Sequence, residues 1–266
     1  MPDQTLREQP EEQVESSYWH SVDAGKQRLS RSWRALITTG LMGGVDISVG
    51  IMAYMLAIEE TGSHLLAGFA FSIAFIALYL GHAELFTEGF FYPVVAVVTG
   101  RGSWGDLLRL WVFTLLTNLV AGWFIIGLIT VGFPQFHPIF AESAHHFLNI
   151  GFSWQGAALA VLAGMAITLM TRMHAGSEHP VSVVAASIAG GVVLAGGSLF
   201  HSVLDSILIF GAIWSGADGV TYLDWLGWVW WVIPLNILGG VLLTTFPRMV
   251  RGSEVKDPLA SQDTKL

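Results

Sequence analysis

The chain contains no cysteine among its 266 residues, which excludes disulfides, thiolate metal centres and cysteine nucleophiles together. Charge is also scarce: only 12% of residues are Asp, Glu, Lys or Arg, about half of the roughly 25% that soluble domains carry. Twelve Lys and Arg stand against 20 Asp and Glu, a formal net charge of −8, which is the wrong sign for gripping a phosphate backbone and excludes nucleic-acid binding as a main role. No basic-then-apolar leader opens the sequence, since Glu8, Glu11, Glu12 and Glu15 lie near the start. Metalloprotease helices, phosphate-binding glycine loops and serine elbows are missing too, so neither an enzyme nor a bound metal or cofactor is expected.

What the sequence has in excess is apolar surface. Hydrophobic residues make up 53%, with 30 glycines and 11 tryptophans, and the mean hydropathy is +0.60. That composition belongs to a polytopic membrane protein. A helix needs about 20 apolar residues to cross the hydrocarbon layer, and six such runs lie near residues 34–57, 65–86, 107–131, 153–173, 181–210 and 225–247. None alternates over about ten residues as a barrel strand does, so the expectation is an all-α membrane protein of six transmembrane helices. Three regions follow: residues 1–33 as a cytoplasmic N-terminal segment, 34–248 as the transmembrane domain, and 249–266 as a polar, disordered cytoplasmic tail. Within the first, Val14, Tyr18, Val22, Gly25, Leu29 and Trp33 recur every three or four residues beside Lys26, Arg28, Arg31 and Arg34. That pattern fits an interfacial amphipathic helix or a solvated one.

The charge pattern sets an orientation. If six spans alternate, every Lys and Arg falls on one side: before span one, at Arg101 and Arg109 between spans two and three, at Arg172 after span four, and after span six. Cytoplasmic loops retain basic residues, so both termini are expected in the cytoplasm. The opposite loops carry acids such as Glu59, Glu60, Glu142, Asp218 and Asp224 and no Lys or Arg.

Spans two and five are interrupted. GHAELFTEGFF at 81–91 and GGSLFHSVLDS at 196–206 place glycines and ionisable groups inside long apolar stretches, at corresponding positions of two three-span halves. Two such halves insert in opposite orientations, and matched interruptions are what an inverted 3+3 repeat with broken helices two and five displays. Freed backbone groups at such breaks need protein partners or a water-filled cavity. Charge within the bilayer is costly and marks pathways or packing pairs; the candidates are Asp46, His82, Glu84, Glu88, His201 and Asp205. His201 and Asp205 stand four apart and share a face on a continuous helical turn. A histidine in this position titrates near neutral pH as a pore group, or serves as an interhelical hydrogen-bond partner.

Three motifs resemble the formate/nitrite transporter family. ELFT at 84–87 is similar to the family's acidic-Leu-Phe-Thr segment, Asn118 and Gly122 within WVFTLLTNLVAGW match its third-span Asn-x-x-x-Gly, and GGSLFHSVLDS resembles its fifth-span break. The resemblance covers residues 30–250 in organisation. It implies an aquaporin-like fold and a homopentamer in a bacterial-type inner (plasma) membrane, each protomer with its own pore for small weak-acid anions, often moved with a proton. It further implies that His201 is the central pore histidine, that Leu85, Phe86 and Thr87 form a constriction and its polar lining, and that Phe200 stands beside the second constriction. Glu84, Asn118 and Asp205 complete the expected pore and substrate set. Asp205 replaces a common asparagine, and the basic residue of the outer vestibule is missing. The same His and carboxylate groups would equally suit a proton or cation pathway, and a non-conducting membrane scaffold is the third reading.

Overall fold

The computed structural model describes residues 5–177 and 179–252, with side chains described for 15–177 and 179–251. Every regular element among these residues is helical: α1 (Thr5–Leu29), α2 (Trp33–Thr61), α3 (His64–Phe71), α4 (Ile73–Leu80), α5 (Tyr92–Val98), α6 (Trp104–Gly132), α7 (His137–Ile150), α8 (Trp154–Ala175), α9 (Pro180–Leu194), α10 (Leu204–Trp214), α11 (Tyr222–Leu238) and α12 (Phe246–Gly252). Four are long and apolar enough to cross a membrane: α2, α6, α8 and the continuous stretch Tyr222–Arg251, in which α11 runs through a π-helical turn, Gly239–Thr245, into α12.

Local chemistry sets the starts. Ser32, Ser63, Ser103, Ser153 and Thr221 stand at the N-caps of α2, α3, α6, α8 and α11, each hydroxyl accepting from a backbone N–H of the first turn. Gly62, at φ 63°, ends α2 in the left-handed conformation that glycine adopts without penalty. The remaining two expected spans are divided. Residues 64–98 form α3, α4, an irregular loop, a 3₁₀ turn at Phe86–Phe90 and α5; residues 180–214 form α9, an irregular stretch at 195–203 and α10.

The packing of 33–132 has a counterpart in 154–252. In the former α2 lies along α6 and against α3; in the latter α8 lies along α11 and its π turn and against α9. The divided segments cross each other where α3 meets α9, with Gly68 and Gly191 at the closest approach. Leu65, Phe69, Leu108, Val131 and Leu223 are all more than half exposed on the outer surface, an apolar coat that water does not tolerate over such an area.

Two regions differ from expectation. The stretch between α6 and α8 forms the amphipathic helix α7, which buries Phe140, Ala144 and Phe147 against α10. The stripe on α1 covers protein: Tyr18, Val22 and Leu29 are buried, the first two against Phe91, Tyr92 and Val95 at the start of α5 and Leu29 against Val97 and its neighbours. The expected tail at 249–266 starts inside α12, and its part from 253 lies outside the described residues.

Candidate functional site

The two breaks are held by one chemistry used twice. A broken helix leaves carbonyls and N–H groups without intrahelical partners, and a carboxamide supplies two donors and an acceptor from a single side chain. On α6, Asn118 Nδ2 donates to the carbonyls of Gly40 (2.7 Å) and Glu84 (2.9 Å), while its Oδ1 accepts from the Phe86 N–H (2.9 Å). On α11, Asn236 Nδ2 donates to the carbonyls of Ala160 (2.8 Å) and Phe200 (2.8 Å), while its Oδ1 accepts from the Ser202 N–H (2.8 Å). Each amide thus joins the carbonyl of one break residue and the N–H two residues later to a carbonyl of the long helix alongside. Two residues before each clamped carbonyl, the backbone turns left-handed at a non-glycine residue, His82 (φ 52°) and Ser198 (φ 49°), an uncommon conformation. Gly44 and Gly164 face the carbonyls of Asn118 and Asn236 so closely that a Cβ at either position would require the backbone to move.

The clamps present His201 and Thr87 to each other, both fully buried. His201 Nε2 lies 2.8 Å from Thr87 Oγ1, and His201 Nδ1 accepts from the Leu204 N–H at 3.1 Å. A backbone N–H only donates, so in the neutral ring Nδ1 is the acceptor and Nε2 carries the proton, donating to Thr87. The Thr87 hydroxyl hydrogen then remains available to a third group. His201 precedes α10, and Asp205 sits in that helix's first turn. The two side chains therefore do not stack on one helical face; Asp205 Oδ2 instead accepts from the His201 backbone N–H at 2.8 Å.

Two cavities border residues that adjoin this dyad in the chain, one at Glu88 and the other at Leu204 and Asp205. The first, about 530 Å³ and called inner on the expected cytoplasmic placement of the basic residues, is lined by Arg28 of α1, Arg31 just after it, Leu78 and Tyr79 of α4, Glu88, and His174 of α8. The outer one, about 310 Å³, is lined by Tyr54 of α2, Phe71 of α3, Glu142 of α7, Leu194, and Asp205. Phe75 lies one turn from Phe71 and one from Leu78, is buried, and packs edge-on against Phe71 with ring centroids 5.3 Å apart. Phe71 borders the outer cavity and Leu78 the inner one, so this apolar row runs from one lining to the other.

The expected site residues divide by place. His201 and Thr87 meet at 2.8 Å and line neither cavity, and Asp205 borders the outer one. Leu85 and Phe86 are buried in the first break, with Phe86 edge-on to Phe90 and close to Trp111. Phe200 is caged by Phe147, Trp228 and Trp231 and borders neither cavity. Asn118 is the first clamp. Glu84, 1% exposed, forms ion pairs with Arg28 (2.8 Å) and Arg31, and so fastens α1 to the first break. Asp46 is half-buried on α2 and borders neither cavity. Sequence reading missed Asn236 and His174. The signal for the first was present: Asn236 and Gly240 repeat in the last span the Asn-x-x-x-Gly of Asn118 and Gly122. His174, whose Nε2 lies 3.1 Å from Ser187 Oγ, carries no such mark in the sequence.

This geometry has relatives. Residues 15–250 match the formate/nitrite transporter family. The chain is 26% identical over 241 residues to the inner membrane protein YfdC of Escherichia coli (strain K12), covering 84% of this chain and 74% of that protein. Among solved structures it is similar to an FNT family ion channel (TM-score 0.71, 16% identity, 87% of this chain and 96% of the other). It is also similar to a pentameric formate channel with formate bound (TM-score 0.66, 18% identity, 80% and 96%). With a match running from α1 to α12, this chain belongs to the formate/nitrite transporter family.

Proposed function

We propose that the protein is a transmembrane channel or transporter for small monovalent weak-acid anions of the formate and nitrite type, proton-linked through His201. The observation that carries this reading is the His201–Thr87 pair, fully buried beside Glu88, which borders one cavity, and one turn before Asp205, which borders the other. A bare anion in so apolar a passage lacks the hydration it loses on entry, whereas a protonated weak acid crosses as a neutral hydrogen-bonding molecule. The Thr87 hydroxyl and the His201 Nε2–H are the polar groups offered to it on the way. Leu85, Phe86 and Phe200 are the buried apolar residues flanking the pair, Asn118 and Asn236 fix the breaks, and Glu84 anchors α1.

The assembly belongs to the same reading. Six membrane crossings arranged as an inverted 3+3 repeat are supported by the paired asparagine clamps, the paired left-handed residues and the matched packing of 33–132 and 154–252. A homopentamer is supported by the apolar outer coat and by the pentameric relative, and an inner-membrane location by YfdC. Cytoplasmic termini are supported by the one-sided distribution of Lys and Arg.

The test is uptake of formate, nitrite and chloride into liposomes holding the purified protein at about pH 5 and 7, a range that brackets histidine titration, with and without His201→Ala. Formate and nitrite flux that rises on acidification and needs His201 is the expected result; flux unchanged by His201→Ala rules out the mechanism. A second reading, a proton or cation pathway, is favoured by one observation: Glu142 and Asp205 border the outer cavity without any Lys or Arg. It requires cation currents in the absence of weak acid that vanish in Asp205→Asn.

A further inference from the structure

Two carboxylates flank the central dyad, one in each cavity, and the proposed function has not used them. Asp205 begins one turn after His201 and borders the outer cavity; Glu88 directly follows Thr87 and borders the inner one. Both are buried. Asp205 gives Oδ2 to the His201 backbone N–H, and no hydrogen bond to Oδ1 occurs among the described residues. Glu88 stands outside the ion pair of Arg28 and Arg31, which Glu84 occupies. Neither carboxylate is therefore held in an ion pair among the described residues.

We propose that Asp205 and Glu88 are the proton-exchange residues of the pathway, Asp205 handing a proton to the anion on the outer side and Glu88 taking it up on the inner side. The inference rests on the weak-acid reading above and names the groups that carry its proton. An anion entering the outer cavity meets carboxylates and no guanidinium or ammonium, so an ionised Asp205 repels it and a protonated Asp205 donates to it. The Asp205 O–H bond breaks, the proton and the anion form the neutral acid, and Asp205 becomes a carboxylate that is reprotonated by water of the outer cavity. The acid passes His201 and Thr87 by hydrogen bonds. On the inner side its O–H bond breaks, the proton passes to the Glu88 carboxylate, and the free anion emerges near two guanidiniums opposed by Glu84. Glu88 then loses the proton to water of the inner cavity. Each step conserves one proton, and the sequence runs in reverse for efflux.

The surroundings of each group are asymmetric. Around Asp205 stand Tyr54 on α2, His64 on α3, and Glu142 and His146 on α7, with Tyr54 Oη 2.9 Å from His64 Nδ1. No Lys or Arg is among them, so nothing there holds Asp205 permanently ionised. Around Glu88 stand His20 and Arg28 on α1, Arg31 just after it, Tyr79 on α4, His82 and Glu84 in the break, Tyr92 on α5 and His174 on α8.

The experiment measures initial rates of labelled formate entry and exit in liposomes holding the full-length protein, with empty liposomes subtracted, for wild type, Asp205→Asn and Glu88→Gln. At pH 7 only about one formate in a thousand is protonated in bulk, given a carboxyl pKa near about 4. Without Asp205 the pathway depends on that fraction. The wild-type to Asp205→Asn entry ratio is therefore expected to be on the order of a hundredfold at outer pH 7, the scale of general acid catalysis. It falls toward one as the outer pH approaches 4, where bulk formic acid is plentiful. Glu88→Gln is expected to show the same convergence for exit as the inner pH is lowered. A structural role for either residue gives ratios that do not change with pH, and such a result overturns the proposal while leaving a His201-dependent flux intact. If Asp205→Asn fails to assemble, the exit ratio of Glu88→Gln decides alone. A wild type that moves no formate overturns the weak-acid reading itself, and this inference with it.

Discussion

Asn236→Ala tests whether the second break depends on its clamp as the first depends on Asn118. The substitution removes three buried hydrogen bonds at once, to Ala160, Phe200 and Ser202, in a residue that is fully buried. The Ala160 carbonyl belongs to α8 and keeps its helical partner. The Phe200 carbonyl and the Ser202 N–H lie in an irregular stretch and are left without one, at about 1–3 kcal/mol each. Bonds between membrane helices measure at the lower end of such ranges, so the net loss is about 2 kcal/mol. For a chain of this size each kcal/mol shifts an unfolding midpoint by about 2–4 °C, which places the expected drop at about 4–8 °C. Thermal unfolding of the purified protein in detergent, followed by loss of the oligomer peak in size-exclusion chromatography, reads it directly. Asn118→Ala should match it, and the double variant should show the sum, because the clamps share no partner. An Asn236→Ala protein that unfolds within a degree or two of wild type would refute the view that the amide holds the break.

Four further expectations follow from other contacts. Replacing Arg28 and Arg31 together by Ala leaves Glu84, 1% exposed, without a countercharge; a loss of about 3 kcal/mol is expected, with adding Glu84→Gln recovering part of it in the same unfolding assay. Gly164→Ala drives a Cβ into the Asn236 carbonyl and should abolish the assembled protein in expression trials. Gly227→Ala, whose Cβ meets nothing within 4 Å, should raise the unfolding midpoint through a gain of up to about 1 kcal/mol in helix propensity. Ser198→Gly relieves a left-handed serine and should stabilise by about 1 kcal/mol, visible as a higher midpoint with unchanged flux.

Much of the fold was legible because a bilayer imposes a length and a polarity on every segment. Runs such as 107–131 announce α6, and the glycines and ionisable groups at 81–91 and 196–206 announce the two breaks, which the structure places at 81–91 and 195–203. The site was legible in part. His201 and Thr87, 114 residues apart, were each singled out, but their pairing was not, since no local rule connects distant residues. Asp205 was expected to interact with the imidazole through helical spacing; because α10 starts only at Leu204, the carboxylate reaches the backbone of His201 instead. Glu84 was expected at the pore, and its partners on α1 were not foreseen, since ion pairing across 53 and 56 residues leaves no periodic trace. α7 was overlooked because a 14-residue amphipathic helix falls below the length that marks a span.

The sequence by itself determined the class of the molecule, its apolar segments, the position of the breaks and the one-sided placement of Lys and Arg. These are sums over neighbouring residues, and hydrophobic transfer and helix geometry act on such sums. Only the tertiary structure decided what the breaks are for. It set two asparagines on separate helices to satisfy the backbone groups that the breaks release, brought an imidazole and a threonine hydroxyl to within 2.8 Å of each other, and folded α1 back onto Glu84. Those outcomes depend on which freed polar group finds a partner in space, and a buried polar group without one is too costly to persist.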